Sequence, residues 1–268
     1  MSNPLKAYSA ARETLLTEII ETLSGDDRFV AAWLTGSVGR NDADAVSDLD
    51  LTVVVSDQSS ETLCARPWQT SAQTTKERLE LIGKFDQPAV IHENNYNAPE
   101  GGTFTFALYA KSALMIDWIL VPRAKAQCPS QAQVLFDKVG IPASPLPEPE
   151  SLEQRTKNAS DTIAFFWMMT AITAKHIVRG DGVFVQCWLE ELNRMVHEVE
   201  RLTKGEAWHY RRGSLTTMAV TREDQIGVIY QLGERILNLM PEVAKMGGYV
   251  SSSPMPTIET LLKLADRE

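Results

Sequence analysis

The chain has 268 residues, with 26 Lys and Arg against 35 Asp and Glu, for a formal charge of −9 at pH 7. A chain of this length can bury a core without disulfide or metal staples, and its 44% hydrophobic and 23% charged content is that of an ordinary globular protein. No apolar run reaches the roughly 20 residues a membrane span needs, and the acidic balance opposes a phosphate backbone as partner.

Neither nucleic acid nor a membrane is therefore expected as a partner, and the charge favours a cationic small molecule. The first residues, Met1 to Lys6, carry no apolar stretch of the secretory kind. Cys64, Cys128 and Cys187 are odd in number and far apart, so no disulfide framework is indicated and a cytoplasmic location is expected.

In chain order, Asn3-Pro4 reads as a helix N-cap with proline in the first turn. Leu5, Tyr8, Leu15, Ile19 and Leu23 then recur at helical spacing until Gly25-Asp26-Asp27. Phe29–Leu34 and Leu51–Val55 are short β-branched runs that predict strands. A helix is expected over Arg66–Ile82, and three further strands over Ala89–His92, Thr103–Tyr109 and Leu114–Val121. The turn-rich stretch Asn94–Gly102 connects two of them.

Residues 141–150 hold four prolines, which suit neither a helix nor a central strand and predict a stiff linker. Beyond it the pattern is helical. Ser151-x-x-Gln154 is a capping-box signature, and Ile163, Phe166, Trp167, Thr170, Ala171, Ala174 and Val178 share one helical face. Phe165, Met168, Met169 and Ile172 lie opposite, so the middle of this helix is expected to be buried all round. Gly180-Asp181-Gly182 breaks it, a second helix carries Val185 to Leu202, and others are expected over Arg222–Met240 and Ile258–Ala265.

The fold class expected is α+β. A mixed five-stranded sheet with flanking helices fills residues 1–140, residues 141–150 form the linker, and an all-α bundle fills residues 151–268.

The chemistry concentrates at Leu34-Thr35-Gly36-Ser37, a polar loop, and Ser47-Asp48-Leu49-Asp50-Leu51. Asp48 and Asp50 alternate with core leucines, so on a strand both carboxylates share one face, about 6–7 Å apart at Cα. Paired carboxylates can clamp two divalent ions for in-line phosphoryl transfer, and hard oxygen ligands select Mg²⁺ over zinc. Gly36 and Ser37 offer close backbone approach and a hydroxyl to a triphosphate, and Arg40 can neutralise phosphate charge. Asp42 and Asp44 fall outside the strand alternation and read as solvated loop residues.

Gly36-Ser37…Asp48-Leu49-Asp50 resembles the signature of the DNA polymerase β-type nucleotidyltransferase superfamily. That resemblance implies a third carboxylate on a later strand. Asp117, the lone charge in Leu114-Met115-Ile116-Asp117-Trp118-Ile119-Leu120, matches it; the competing readings are an edge position or a salt bridge to Arg123 or Lys111.

The second half, from Ala164-Phe165-Phe166-Trp167 to Lys175 and Arg179-Gly180-Asp181, resembles the helical domain of aminoglycoside adenylyltransferases of the streptomycin-modifying group and of lincosamide nucleotidyltransferases. The resemblance implies an Mg²⁺-dependent enzyme that moves AMP from ATP, the co-substrate, to a hydroxyl of a small cationic acceptor. Asp48, Asp50 and Asp117 are then the catalytic residues and ligands of two Mg²⁺ ions. Gly36, Ser37, Arg40 and Lys175 bind nucleotide, while Arg179 and Asp181 close the helix end.

His92-Glu93 lies beside the Asn94–Gly102 loop, where it could line the acceptor pocket, with Glu93 competing with Asp117 as the base. Trp208-His209-Tyr210-Arg211-Arg212 is a basic-aromatic cluster that reads as an interhelical loop. A protein or tRNA acceptor, as in antitoxin-like relatives, and a non-catalytic nucleotide-binding regulator are the alternatives. A homodimer is one assembly open to the chain.

Overall fold

The computed structural model describes residues 3–65, 75–94, 96–145, 148–207, 218–250 and 252–264. The chain forms two compact units, Met1–Leu146 and Pro147–Glu268.

In the first unit, helix α1 (Pro4–Ser24) starts where Asn3 accepts a 3.0 Å hydrogen bond from the Leu5 amide. It buries Leu15, Leu16, Ile19 and Leu23, and also Arg12. A mixed six-stranded sheet follows, formed by β1 (Phe29–Leu34), β2 (Leu49–Val55), β3 (Pro88–Asn94), β4 (Thr103–Tyr109), β5 (Met115–Pro122) and β6 (Gln133–Asp137). Its order is β3-β4-β5-β2-β1-β6. The pair β2–β5 is parallel, and the other neighbours are antiparallel.

The α+β class stands as expected, with β6 added at the β1 edge. Its Gln-Val-Leu-Phe-Asp sequence is short and polar-ended, as edge strands tend to be, and so lacks the apolar run that marks the others. Helices α2 (Gly36–Gly39), α3 (Asp57–Leu63) and α4 (Lys76–Ile82) complete the unit. Thr75 caps α4 by accepting from the Arg78 amide, so that helix begins at Lys76; residues 66–74 of the expected longer helix lie outside the described residues.

The two faces of the sheet differ. Residues opposite one another on adjacent strands share a face, and successive residues alternate. One face carries Leu49, Leu51, Ile116 and Trp118 into a large core with α1, Leu63 of α3 and Ile82 of α4. Trp118 Nε1 donates to the Tyr109 hydroxyl at 3.2 Å, which donates to the Ile82 carbonyl at 3.1 Å. Each fully buried Leu or Ile in this layer contributes about 1.5–3 kcal/mol. On the other face, Ala31, Trp33, Val54 and Val121 form a smaller cluster with Ala126. That cluster covers the C-terminal ends of β2 and β5, and their N-terminal ends carry the acidic residues.

At the end of the first unit, Cys128 donates to the Pro142 carbonyl and accepts from the Ser144 amide. The start of the proline-rich stretch is thus tied to the sheet unit.

The second unit consists of α5 (Leu152–Arg179), α6 (Gly182–Lys204), α7 (Arg222–Lys245) and α8 (Met255–Leu262). They share a core of Phe166, Leu189, Leu192, Ile229, Ile236 and Ile258 among others. Gly180 and Gly205 end α5 and α6 in left-handed conformations, as helix C-caps often require. Ser151 caps α5 by accepting from the Gln154 amide, while the Gln154 side chain donates to Asn158 instead.

Phe165 and Met168 are 44% and 50% exposed, so α5 is buried on one side, not all round. Phe165 packs edge-on to Trp188, which neighbours Phe184, and Phe184 stacks on His176 at 3.8 Å. Helix α7 continues through Pro241 beyond its expected end at Met240. Helix α8 starts at Met255, three residues before the expected Ile258, with proline in its first turn. The Trp208–Arg212 cluster lies outside the described residues. No helix among the described residues is long and apolar enough to cross a membrane.

Candidate active site

The site grows from the β1–α2–β2 connection. Leu34 ends β1 in the core, and the Thr35 amide donates to the Asp50 carbonyl at 2.9 Å, which carries the strand pairing one residue past β1. Gly36 then turns with φ +59°, a conformation that costs a residue with a Cβ about 1–2 kcal/mol. A Cβ there would also collide with the Asp50 carboxylate. Glycine is needed at this position both for the turn and for the close approach of backbone to carboxylate. Residues Gly36–Gly39 form a single helical turn, and among the described residues no side chain caps its first amides. Helix geometry leaves those amides without intrahelical acceptors, and the half-buried Ser37 stands among them.

The loop that returns to β2 is held from below. Buried Arg12 of α1 donates from Nη1 to the carbonyls of Asp44 and Ser47, both at 2.9 Å. Asp44 Oδ1 accepts from the Val46 amide and the Ser47 hydroxyl, and Ser47 Oγ accepts from the Asp44 amide. Asp44 is therefore the closing residue of a turn, not merely a solvated one. Arg40 pairs with Asp42 at 3.3 Å on the surface of the loop.

The parallel pairing of β2 and β5 places Asp50 directly beside Asp117, one strand spacing apart (about 4.8 Å). Asp48 stands two residues before Asp50, at the entry to β2. β5 lies between β4 and β2, so Asp117 is not at an edge. No ion pair joins it to Arg123 or Lys111 among the described residues. Burial pushes the Asp117 carboxyl up to about 6, and the Asp50 and Asp48 charges add to the shift. Burial also raises Asp50, with Asp48 adding and Arg40 opposing.

Three half-buried carboxylates with no ion pair to a cation among the described residues are costly to ionise together. That donor set, all hard oxygens, is of the kind that takes Mg²⁺. Among the described residues no group of three His, Cys, Asp or Glu side chains is already placed to hold a metal ion.

His92 and Glu93 go to opposite faces. The register His92–Phe106–Asp117–Asp50 runs across β3, β4, β5 and β2, which puts His92 on the carboxylate face. Glu93 pairs with Thr105 and Trp118 on the core face. There Arg78, fully buried, donates to Glu93 at 2.6 and 3.2 Å and to the carbonyls of Leu63 and Ala65. Glu93 is thereby neutralised and turned away from Asp117, which removes it as a competing base.

Lys175 belongs to the second unit, exposed on α5 four residues before its end. Arg179 is exposed at that end. Asp181 caps α6 by accepting from the Phe184 amide and contacts His176 Nδ1 at 3.1 Å.

A model of the streptomycin adenylyltransferase family matches residues 10–210, three quarters of the chain, with every strand of the sheet unit inside the match. The chain belongs to the streptomycin adenylyltransferase family. Among solved structures, it is similar to an aminoglycoside 6-adenyltransferase from Bacillus subtilis, at 10% identity over 92% of this chain and 96% of that one, with a TM-score of 0.28. No curated protein matches it.

Sequence reasoning missed two positions that build this family member's site, Arg12 under the loop and Thr35 on the Asp50 backbone, and it missed Arg78, which holds Glu93 on the core face away from the site. Arg12 and Arg78 carry no signal of their own in the sequence, because a buried guanidinium is indistinguishable there from an exposed one until its carbonyl partners are known.

Proposed function

We propose that the chain transfers AMP from ATP to a hydroxyl of a small cationic acceptor of the aminoglycoside kind. The observation that carries this reading is the register of Asp50 beside Asp117 on parallel strands, with Asp48 next to them and the Gly36–Ser37 turn packed on Asp50.

In this reading the uncapped amides of the Gly36 turn and the Ser37 hydroxyl hold the phosphates, and Arg40 and Lys175 neutralise their charge. Asp48, Asp50 and Asp117 would hold Mg²⁺, which when bound offsets the charge of the triphosphate. Asp117 takes the proton of the acceptor hydroxyl. The oxygen then bonds to the α-phosphorus as the bond to the bridging oxygen breaks, and pyrophosphate leaves. Little covalent work falls on the protein, and positioning with electrostatic stabilisation supplies the rate.

The test is a panel of aminoglycosides and lincosamides, each with every nucleoside triphosphate and Mg²⁺, followed by pyrophosphate release. Turnover with ATP and an aminoglycoside is expected. ATP binding with no turnover across the panel would overturn the reading in favour of a nucleotide-binding regulator.

A further inference from the structure

The row that contains Asp50 and Asp117 does not end with them. On the same face it continues through Phe106 of β4 to His92 of β3. Three strand spacings, about 14 Å, separate Asp50 from His92, and Phe106 lies between His92 and Asp117. Phe106 is half-buried, with its flanking residues Thr105 and Ala107 fully buried on the opposite face. His92 is exposed, and no hydrogen bond or ion pair among the described residues occupies its ring. Of the two neighbouring rows on this face, Val90, Leu108 and Met115 are apolar, and Phe104 and Ile119 are apolar beside Asn94 of β3.

The face beyond Asp117 is therefore a mainly aromatic and aliphatic floor, with His92 at the far end of the Asp117 row and Asn94 one row further along β3. β3 is an edge strand, and its position is fixed from behind. The buried Arg78–Glu93 pair anchors the residue next to His92, so the imidazole is presented by a rigid backbone.

We infer that Phe106 and His92 form the acceptor platform of this enzyme, a deepening that rests on the transferase reading above. The ligand class it fits is a hydroxylated ring, a sugar or cyclitol, lying with its C–H face on Phe106. One hydroxyl of that ring reaches Asp117, and a polar substituent on the opposite side reaches His92. An aromatic floor suits the apolar face of such a ring, and the imidazole supplies a directional hydrogen bond that fixes which hydroxyl is presented. Phe106 and His92 are positioning residues for the acceptor and make no contact with the triphosphate.

The experiment is calorimetric titration of the full chain with streptomycin, and separately with ATP and Mg²⁺, for the native protein and for His92→Ala, Phe106→Ala and Phe106→Tyr. Streptomycin binding about tenfold weaker in His92→Ala and Phe106→Ala is expected, with ATP affinity unchanged. Phe106→Tyr keeps the ring and is expected to retain binding; it also provides a folded variant should Phe106→Ala melt early.

Unchanged streptomycin affinity in both alanine variants would overturn the platform, as would an equal loss of ATP affinity. Failure of the native protein to bind streptomycin would overturn it too. Native protein that binds streptomycin through these residues but releases no pyrophosphate would leave the platform standing and refute the transferase reading.

Discussion

Gly36→Ala isolates the contact on which the site is built. The substitution adds one methyl at a residue whose φ is +59° and whose Cβ would overlap the Asp50 carboxylate. The left-handed backbone alone costs about 1–2 kcal/mol for alanine, which in a unit of this size lowers the melting temperature by about 2–8 °C. Gly140→Ala is the control. Gly140 has φ +72°, and a Cβ there meets nothing within 4 Å among the described residues. It shares the backbone cost and lacks the collision.

The two variants should therefore lose comparable stability, with Gly36→Ala somewhat lower. Their activities should diverge. A carboxylate displaced by about 1 Å is expected to cost about 10²-fold in turnover, whereas Gly140→Ala should turn over as the native protein does. Thermal melts and pyrophosphate release measured side by side decide the matter. Native-like activity in Gly36→Ala would refute the argument that the Gly36 turn fixes Asp50.

Other consequences are open to measurement. Arg78→Met leaves Glu93 buried and uncompensated, and should cost about 3–5 kcal/mol in urea denaturation; adding Glu93→Gln should recover part of it, and a loss below about 1 kcal/mol would contradict the buried pair. Lys175→Ala should raise the KM for ATP about tenfold or more with the acceptor KM unchanged; a shift in the acceptor KM instead would refute its assignment to the triphosphate.

The Asp137 carboxyl is pulled below its ordinary value, despite some burial, by amides of Val139, Gly140 and Ile141. A carboxylate lowered by folding contributes stability that is fully present above its unfolded pKa of about 3.9. That contribution fades as pH falls through the lower folded value. The melting-temperature gap between native protein and Asp137→Asn should thus be constant above about pH 5 and close on acidification; a gap that widens in acid would refute the assignment.

Much of the candidate site was legible because its signal is local. Gly36-Ser37 after an apolar strand and Asp48-Leu49-Asp50 at the next strand entry lie within fifteen residues of one another, and each reports its own face. Asp117 could be picked out as a lone charge in an apolar run. Its position beside Asp50 could not, because that depends on β5 lying next to β2 in a sheet whose order departs from chain order.

The opposite fates of His92 and Glu93 follow strand alternation, yet which of them faces the carboxylates required the register across three strands. β6 escaped notice because an edge strand needs little apolar sequence. In the second unit, the apolar Phe165 and Met168 looked like core, but helical spacing gives an apolar face without saying what covers it.

The central claim is that Asp50 and Asp117, paired across parallel strands, carry out nucleotidyl transfer. It is tested most directly by pyrophosphate release from ATP and Mg²⁺ in the presence of streptomycin, with the native protein compared with Asp50→Asn. A fall of at least about 10³-fold is predicted, with a melting temperature no lower than that of the native protein, because the substitution removes a charge that burial and Asp48 disfavour. Turnover by Asp50→Asn at the native rate would contradict the account.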